Sequence, residues 1–285
     1  MNIRVKIGNV SVASKSCDAF TLLELVVVLA LAALWAMLLL PALARTQPNS
    51  KAVQCQNNLR QLTMAWRSYA ADNRDILVAP APSGAISSRP AWVTNVDDVP
   101  PAQFNPLKEI TTSPLWPYCG NKVPLFKCPA DPAQMLFAGI LRPRVRSYSM
   151  SHVFGRGDWL TGSGDAGQTL WRTYSRVGDV VLPAKTFLFL DEHPYSGDDG
   201  SFANACSGNQ PGDPAGSSKI IDYPAGLHSG GCGFAFTDGH AEIHKWQSAK
   251  LKVPPNPGSP LQLNVPAGEA WLDMRWLAGN TTVRR

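Results

Sequence analysis

A chain of 285 residues with 45% hydrophobic side chains can bury one sizeable core, while 24 prolines and 23 glycines argue against a simple helical bundle. We therefore expect an α+β protein with short strands and many loops. The formal net charge is only +5, and no run of lysines and arginines with interleaved aromatic residues occurs, so the composition argues against a nucleic-acid partner.

The first element in chain order is an apolar run over residues 20–44. As a helix it would measure roughly 38 Å, enough to cross a hydrocarbon layer of about 30 Å. A cleaved secretory signal is disfavoured because the run is too long and is not closed by a convincing A-x-A site. The sequence therefore predicts a transmembrane helix, in which Glu24 should cost about 2–3 kcal/mol.

A short basic leader, the small residue Ala19 and the motif FTLLE at residues 20–24 resemble the class III signal of type IV pilins and of type II secretion pseudopilins. The resemblance implies that a prepilin peptidase cleaves between Ala19 and Phe20 and methylates the new amino group. It also implies that Glu24 pairs with the Phe20 amino group of a neighbouring pseudopilin subunit. Ala19 departs from the glycine that most members carry, but it keeps a small residue there.

The same resemblance implies a single-pass protein of the bacterial inner membrane, in contact with its lipid and with the C-terminal domain periplasmic or extracellular. The expected divisions are a leader at 1–19, a transmembrane helix at 20–44, an amphipathic helix at 45–78 and an α+β domain at 79–285. In that domain the helix should pack on a small antiparallel sheet. Pro41 either kinks the long helix or ends its membrane part, and the sequence leaves both open.

The amphipathic helix has apolar residues at steps of four, three, four and three. This spacing places them on one face, which should lie on the sheet. The stripe consists of Cys55, Leu59, Leu62, Trp66 and Tyr69.

Further along, the stretches TFLFLDE (186–192) and GFAFTDGHAEIHKW (233–246) have the apolar and aromatic pattern of strands. The segment 196–219 is rich in Gly, Ser, Asp and Pro, so we expect it to be a surface loop with little to bury.

The C-terminal half adds a second resemblance. The stretches WPYCGNKVPLFKCPAD, RSYSMS and DEHPYSGDDGSF, together with His228, nine intervening residues and then Asp238-Gly239-His240, resemble prepilin-type proteins that carry an H-x9-DG motif. This resemblance implies an exported pseudopilin-like protein and assigns no activity.

Histidines and acids cluster in this half and suggest a metal site. The candidate ligands are Asp191, Asp199, His228, Asp238 and His240. The ion would be Ca²⁺ if loop oxygens dominate, or Zn²⁺ if the histidines take part. The alternative is that Asp238-Gly239 is simply the turn of a β-hairpin and binds nothing.

Six cysteines are present, and Cys17 would leave with the leader. In an oxidising compartment the remaining five could form disulfides, with one left over. Cys206 could pair with Cys232, and either Cys55 or Cys119 could pair with Cys128. No C-x-x-C spacing occurs, so a cysteine metal site is not expected.

No G-x-S-x-G, H-E-x-x-H or glycine-rich phosphate loop is present, so we do not expect an enzyme. The predicted function is a pseudopilin-like structural subunit of a type II secretion or type IV pilus-like system. The alternative is an exported module that binds carbohydrate or protein and uses the pilin signal only as an anchor. Its binding platform could include Trp92, Trp116, Trp159 or Trp171, although most tryptophans fill cores.

Overall fold

The computed structural model describes residues 22–80, 89–93, 106–137, 140–164, 170–196, 199–256, 258–259 and 261–285. The chain divides into two units between Thr46 and Gln47, and we call the second, Gln47–Arg285, the globular unit. The predicted cleavage site at Ala19 and Phe20 lies outside the described residues.

The described residues form an α+β structure. The helices are α1 (Leu22–Asp72), α2 (Pro106–Thr111) and α3 (Trp271–Gly279). The strands are β1 (Gln134–Phe137), β2 (Ile140–Pro143), β3 (Tyr148–Ser151), β4 (Phe187–Asp191), β5 (Ser201–Phe202), β6 (Lys219–Ile220), β7 (Gly231–Phe236), β8 (Ala241–Lys245) and β9 (Val265–Pro266).

The central sheet has five strands in the order β5-β3-β4-β7-β8. All neighbours pair antiparallel except β3 and β5, which are parallel. The pairs β1-β2 and β6-β9 form two further small sheets. The strands predicted within 186–192 and 233–246 correspond to β4 and to the β7-β8 hairpin.

The two faces of the central sheet bury different layers of the core. On β7, Phe234 and Phe236 join a cluster with Met274 and Leu277 of α3, whereas Ala235 joins the cluster under α1. Successive side chains of a strand point to opposite faces, so both faces of β7 are covered. This double coverage explains why the strand is a continuous apolar run rather than an alternating one.

The second part of α1 packs on this sheet, as the periodicity predicts. The residues of the stripe are all buried. They share one cluster with Met150 of β3 and Phe189 of β4. The helix continues through Pro41, which therefore does not end it.

The membrane-spanning part of the predicted fold is wrong. Among the residues that the structure describes, no helix combines the length and the apolarity that crossing a membrane requires. The predicted transmembrane helix and the single-pass inner-membrane location are corrected accordingly.

The expectation that the segment 196–219 has little to bury is also wrong. Strand β5 lies within it, and Phe202 and Cys206 are fully buried. Phe202 packs edge-on against Phe187 of β4, with ring centroids 6.2 Å apart. A few small and aromatic residues in a polar stretch are enough to hold it on the core.

Two of the four tryptophans considered for a binding platform lie in the core. Trp92 and Trp171 are buried, and Trp116 and Trp159 are only partly exposed. The indole of Trp92 donates a hydrogen bond to the Gly200 carbonyl at 2.7 Å, which fixes it inside the core.

Candidate metal centre

Four side chains from four separate segments of the globular unit meet in its interior. Cys55 comes from α1, Cys128 follows a short 3-10 helix, Asp191 ends β4, and His228 precedes β7. One ligand atom from each, two thiol sulfurs, a carboxylate oxygen and a ring nitrogen, lie within 4.8 Å of one another, and all four residues are buried. We call these four residues the donor quartet.

The individual distances are close to those of a shared tetrahedral ion. Cys55 Sγ lies 3.3 Å from Asp191 Oδ2, and Cys128 Sγ lies 3.3 Å from His228 Nε2. His228 Nε2 is 3.2 Å from Asp191 Oδ2. Donors bound tetrahedrally to Zn²⁺, at about 2.3 Å for sulfur and about 2.0–2.2 Å for nitrogen and oxygen, are separated by roughly 3.3–3.8 Å. The three pairs above would therefore move slightly apart to admit the ion.

Asp191 is held from several sides. Its backbone carbonyl accepts hydrogen bonds from the amide of Ala225 at 2.9 Å and from the thiol of Cys232 at 3.2 Å. Its Oδ2 accepts the backbone N–H of Gly233 at 3.0 Å. These contacts fix the end of β4, because its neighbour β7 supplies two of the three donors.

Gly233 leaves space for the donor quartet. A Cβ atom there would lie 2.8 Å from Asp191 Oδ2, 2.9 Å from Cys55 Sγ and 3.0 Å from a methyl group of Leu59. All three separations are shorter than normal van der Waals contacts. A glycine is therefore required at the position where β7 passes the carboxylate and the thiol.

The other three members of the quartet also have hydrogen-bonding neighbours. The amide of His228 donates to the Gly231 carbonyl at 3.1 Å, and Lys245 donates to the His228 carbonyl. The amide of Cys128 donates to the hydroxyl of Ser147 at 3.2 Å. The Tyr148 hydroxyl lies 3.5 Å from Cys55 Sγ, so the thiol has a fixed polar neighbour.

The electrostatics of the quartet are those of a desolvated site. Burial raises the pKa of the Cys55 thiol, and the hydrogen bond with Cys128 and the charge of Asp191 raise it further. Burial lowers the pKa of His228, but its hydrogen bonds with Asp191 and Cys128 outweigh this effect and bring the pKa to about 9. Without a cation, the quartet would therefore hold a buried imidazolium beside a carboxylate.

Two polar atoms at the site have no hydrogen-bond partner among the described residues. They are Oδ1 of Asp191 and Nδ1 of His228, both buried. Buried polar atoms are normally paired, so an unpaired carboxylate oxygen needs an explanation. A cation coordinated by this carboxylate would provide one.

The remaining predicted ligands lie elsewhere. Asp199 Oδ1 accepts both the backbone amide and the hydroxyl of Ser201, each at 2.8 Å. Asp238 and His240 are partly exposed in the turn between β7 and β8, where Asp238 Oδ1 lies 2.6 Å from His240 Nδ1. Of the predicted ligands, only Asp191 and His228 enter the buried group.

The predicted disulfides are not formed. Cys55, Cys119, Cys128, Cys206 and Cys232 are all free and buried in the structure. Cys206 and Cys232 belong to different core clusters, and Cys232 Sγ points to the Asp191 carbonyl instead. Cys55 and Cys128 take part in the donor quartet, which the missing C-x-x-C spacing did not indicate. The one local signal for Cys55 was its place in the buried stripe.

A serine–histidine contact on the edge of the central sheet is not a catalytic triad. His152 Nε2 lies 2.8 Å from Ser201 Oγ, but Asp199 contacts the same hydroxyl. In a triad the carboxylate orients the imidazole through its other nitrogen. Here both neighbours compete for the serine, so this contact lacks the relay that activates a nucleophile.

Comparison with protein-family models, with curated proteins and with solved structures finds no match. The chain is an α+β protein with a buried group of two cysteines, an aspartate and a histidine that could hold a metal ion.

Proposed function

We propose that this protein is a non-catalytic structural subunit whose globular unit is held together by one zinc ion. The observation that carries the proposal is the convergence of the donor quartet from a helix, a loop, a strand end and a turn. These segments are far apart in the sequence, so the unfolded chain lacks the site. The free energy of metal binding would therefore add to the free energy of folding.

The donor types favour zinc over calcium. Ca²⁺ takes six to eight oxygen ligands, and the quartet contains one carboxylate. Two thiolates, an imidazole and a carboxylate suit a tetrahedral Zn²⁺ ion.

The burial of the quartet favours a structural role. A catalytic zinc ion keeps a coordination position open for water or substrate, whereas structural ions are enclosed by four protein ligands. Cys55, Cys128, Asp191 and His228 are each at most 3% exposed. An ion between them would contact neither bulk water nor a substrate.

Metal analysis of the purified full chain tests this proposal. We expect one zinc per chain, a lower melting temperature with a chelator, and loss of zinc in Cys55→Ser and His228→Gln. Cys119→Ser is the matched control, because Cys119 is a buried free thiol outside the quartet. Protein that holds no zinc after growth or refolding with zinc, or a Cys55→Ser variant with full zinc content, would refute the proposal.

We also propose that the subunit assembles with copies of itself in a pilin-like manner. The supporting observation is the first part of α1, where Leu22, Leu23, Trp35 and Met37 are between 64% and 82% exposed. A contiguous apolar surface of this kind marks an interaction site. The pilin-like motif indicates that the partner is a second copy of this chain, processed by prepilin peptidase. A chain that only displays a binding module would not need this apolar surface.

Co-purification of two differently tagged full chains tests the assembly proposal. Glu24→Val should abolish co-purification, because the variant loses the carboxylate that would pair with a neighbour's amino group. Lys51→Val, which removes an exposed charge from the same helix, should not abolish co-purification.

Mass spectrometry of the intact protein tests the processing step. The chain should start at Phe20 and carry a methylated amino group. Recovery of Met1 in cells with active prepilin peptidase, or normal assembly of Glu24→Val, would contradict this proposal.

A further inference from the structure

A cavity of about 650 Å³ lies in the globular unit between α1, α2 and residues 123–131 and 142–145. This volume is within the range of small-molecule sites, about 300–1,000 Å³. Its walls are largely apolar, with Leu107, Val123 and Val145 among the lining residues. The cavity is therefore large enough for a ligand and favours one with an apolar body.

The charged residues of the lining are mainly positive. Lys127, Arg142 and Arg144 contribute three cations, and Asp131 contributes one carboxylate. Both oxygens of that carboxylate are engaged: Oδ1 accepts the amide of Ala133 at 2.8 Å, and Oδ2 accepts the hydroxyl of Ser147 at 2.6 Å. Cations therefore outnumber carboxylates among the described lining residues, which favours an anionic ligand.

Lys127 is the cation best placed to receive an anion. It is partly buried, and its ammonium makes no hydrogen bond or ion pair with the described residues. An anion in the cavity would compensate for the lost hydration of this ammonium group.

We propose that this cavity binds a small organic acid, with its carboxylate between Lys127 and Arg142 and its apolar body against Leu107, Val123 and Val145. An ammonium and a guanidinium are matched to a carboxylate by charge-assisted hydrogen bonds. The proposal goes beyond the zinc site, since Cys128 is the one member of the donor quartet that also lines the cavity.

Isothermal titration of the full chain with 4-phenylbutanoate tests this site, with the neutral 4-phenylbutanamide as matched ligand. We expect saturable binding of the acid with one site per chain, and binding of the amide at least about tenfold weaker, since one charge-assisted hydrogen bond is lost. Lys127→Gln should weaken binding of the acid by a similar factor. Lys122→Gln, an exposed lysine five positions earlier and outside the lining, should leave it unchanged.

A melting curve of each variant tests whether it is folded. If Lys127→Gln does not fold, Arg142→Gln takes its place, because Arg142 is exposed and its replacement should not disturb the core. Equal binding of acid and amide, unchanged binding in the folded variant, or no saturable binding by folded wild-type protein would overturn the proposal.

Discussion

At the scale of single residues, Asp191 connects the sheet with the candidate metal centre. Its carboxylate contacts the Cys55 thiol, the His228 ring and the amide of Gly233, and it is completely buried. A buried carboxylate without a compensating charge is strongly unfavourable. Either the protonated His228 or a bound cation must supply that charge, and the two sulfur atoms beside them favour the cation.

Gly233→Ala should disturb the donor quartet directly. The added methyl group would lie within 3 Å of both Asp191 Oδ2 and Cys55 Sγ, so one of them must move. We expect a loss of about 1–3 kcal/mol in the free energy of unfolding, as for other overpacked core positions. Zinc affinity should fall at least tenfold, roughly the effect of misplacing one ligand.

Denaturant unfolding and competitive zinc titration measure the two effects. Gly279→Ala is the control, since a Cβ atom there meets nothing within 4 Å. If Gly233→Ala bound zinc as tightly as Gly279→Ala, the quartet could not be the binding site.

Asp222 should make stability depend on pH away from the metal centre. Its Oδ2 accepts the amide of Ala203 at 2.7 Å. Burial raises its pKa to about 7; the hydrogen bond from Ala203 opposes this shift and the charge of Asp199 adds to it. The folded state therefore binds more protons than the unfolded state, so the free energy of unfolding should decrease from about pH 4 to about pH 7.

Asp222→Asn should flatten this part of the stability curve, measured by urea unfolding at a series of pH values. Asp213→Asn is the control, because Asp213 also accepts a backbone amide, that of Gln210. An unchanged slope in Asp222→Asn would show that this carboxylate does not titrate as described.

At the scale of secondary-structure elements, the β7-β8 hairpin explains the Asp-Gly part of the H-x9-DG motif. The Phe236 amide donates to the His240 carbonyl, and Gly239 has φ +102°, a conformation that favours glycine. The hairpin places His228 at the far end of β7 from this turn. The motif therefore combines one member of the donor quartet with a turn whose Asp238 lies outside the quartet.

Gly239→Ala should cost about 1 kcal/mol of stability through backbone strain in the turn. Asp238→Ala should lose only the hydrogen bonds to His240 and should keep its zinc. Metal analysis and denaturant unfolding of both variants check these outcomes. Loss of zinc in Asp238→Ala would return that carboxylate to the list of ligands.

The contact of α1 with the sheet should dominate the stability of the globular unit. Leu62 is completely buried in the stripe, whereas Met64, two positions further, is 65% exposed. We expect Leu62→Ala to cost about 2–5 kcal/mol and Met64→Ala less than about 0.5 kcal/mol, measured by denaturant unfolding. Similar costs would mean that this face of α1 does not pack as described.

At the scale of the whole molecule, the parts that could be predicted are those set by local periodicity. The α1 stripe, the strands β4 and β7 and the Asp-Gly turn follow from spacing within a few residues. Cys55 and Cys128 could not be assigned to a metal site in this way. They meet Asp191 and His228 only after α1 has packed on the sheet, and no short motif encodes that packing.

Two further differences have the same origin. The segment 196–219 reads as a polar loop, yet β5 pairs with β3 and carries Phe202 into the core. The composition of a segment indicates how much apolar surface the segment can bury by itself. It does not indicate how much of that surface neighbouring elements cover. The apolar run that starts α1 predicts a membrane span from its length alone. Among the described residues, however, no helix is long and apolar enough to cross a membrane.

X-ray absorption at the zinc edge, on full-length protein purified with zinc, tests the zinc site most directly. Coordination by the donor quartet predicts two sulfur atoms at about 2.3 Å and two nitrogen or oxygen atoms at about 2.0–2.2 Å. It also predicts that the sulfur contribution decreases by half in Cys55→Ser, if the variant retains any zinc. A first shell of nitrogen and oxygen alone, or a spectrum unchanged in Cys55→Ser, would contradict the assignment of the zinc site.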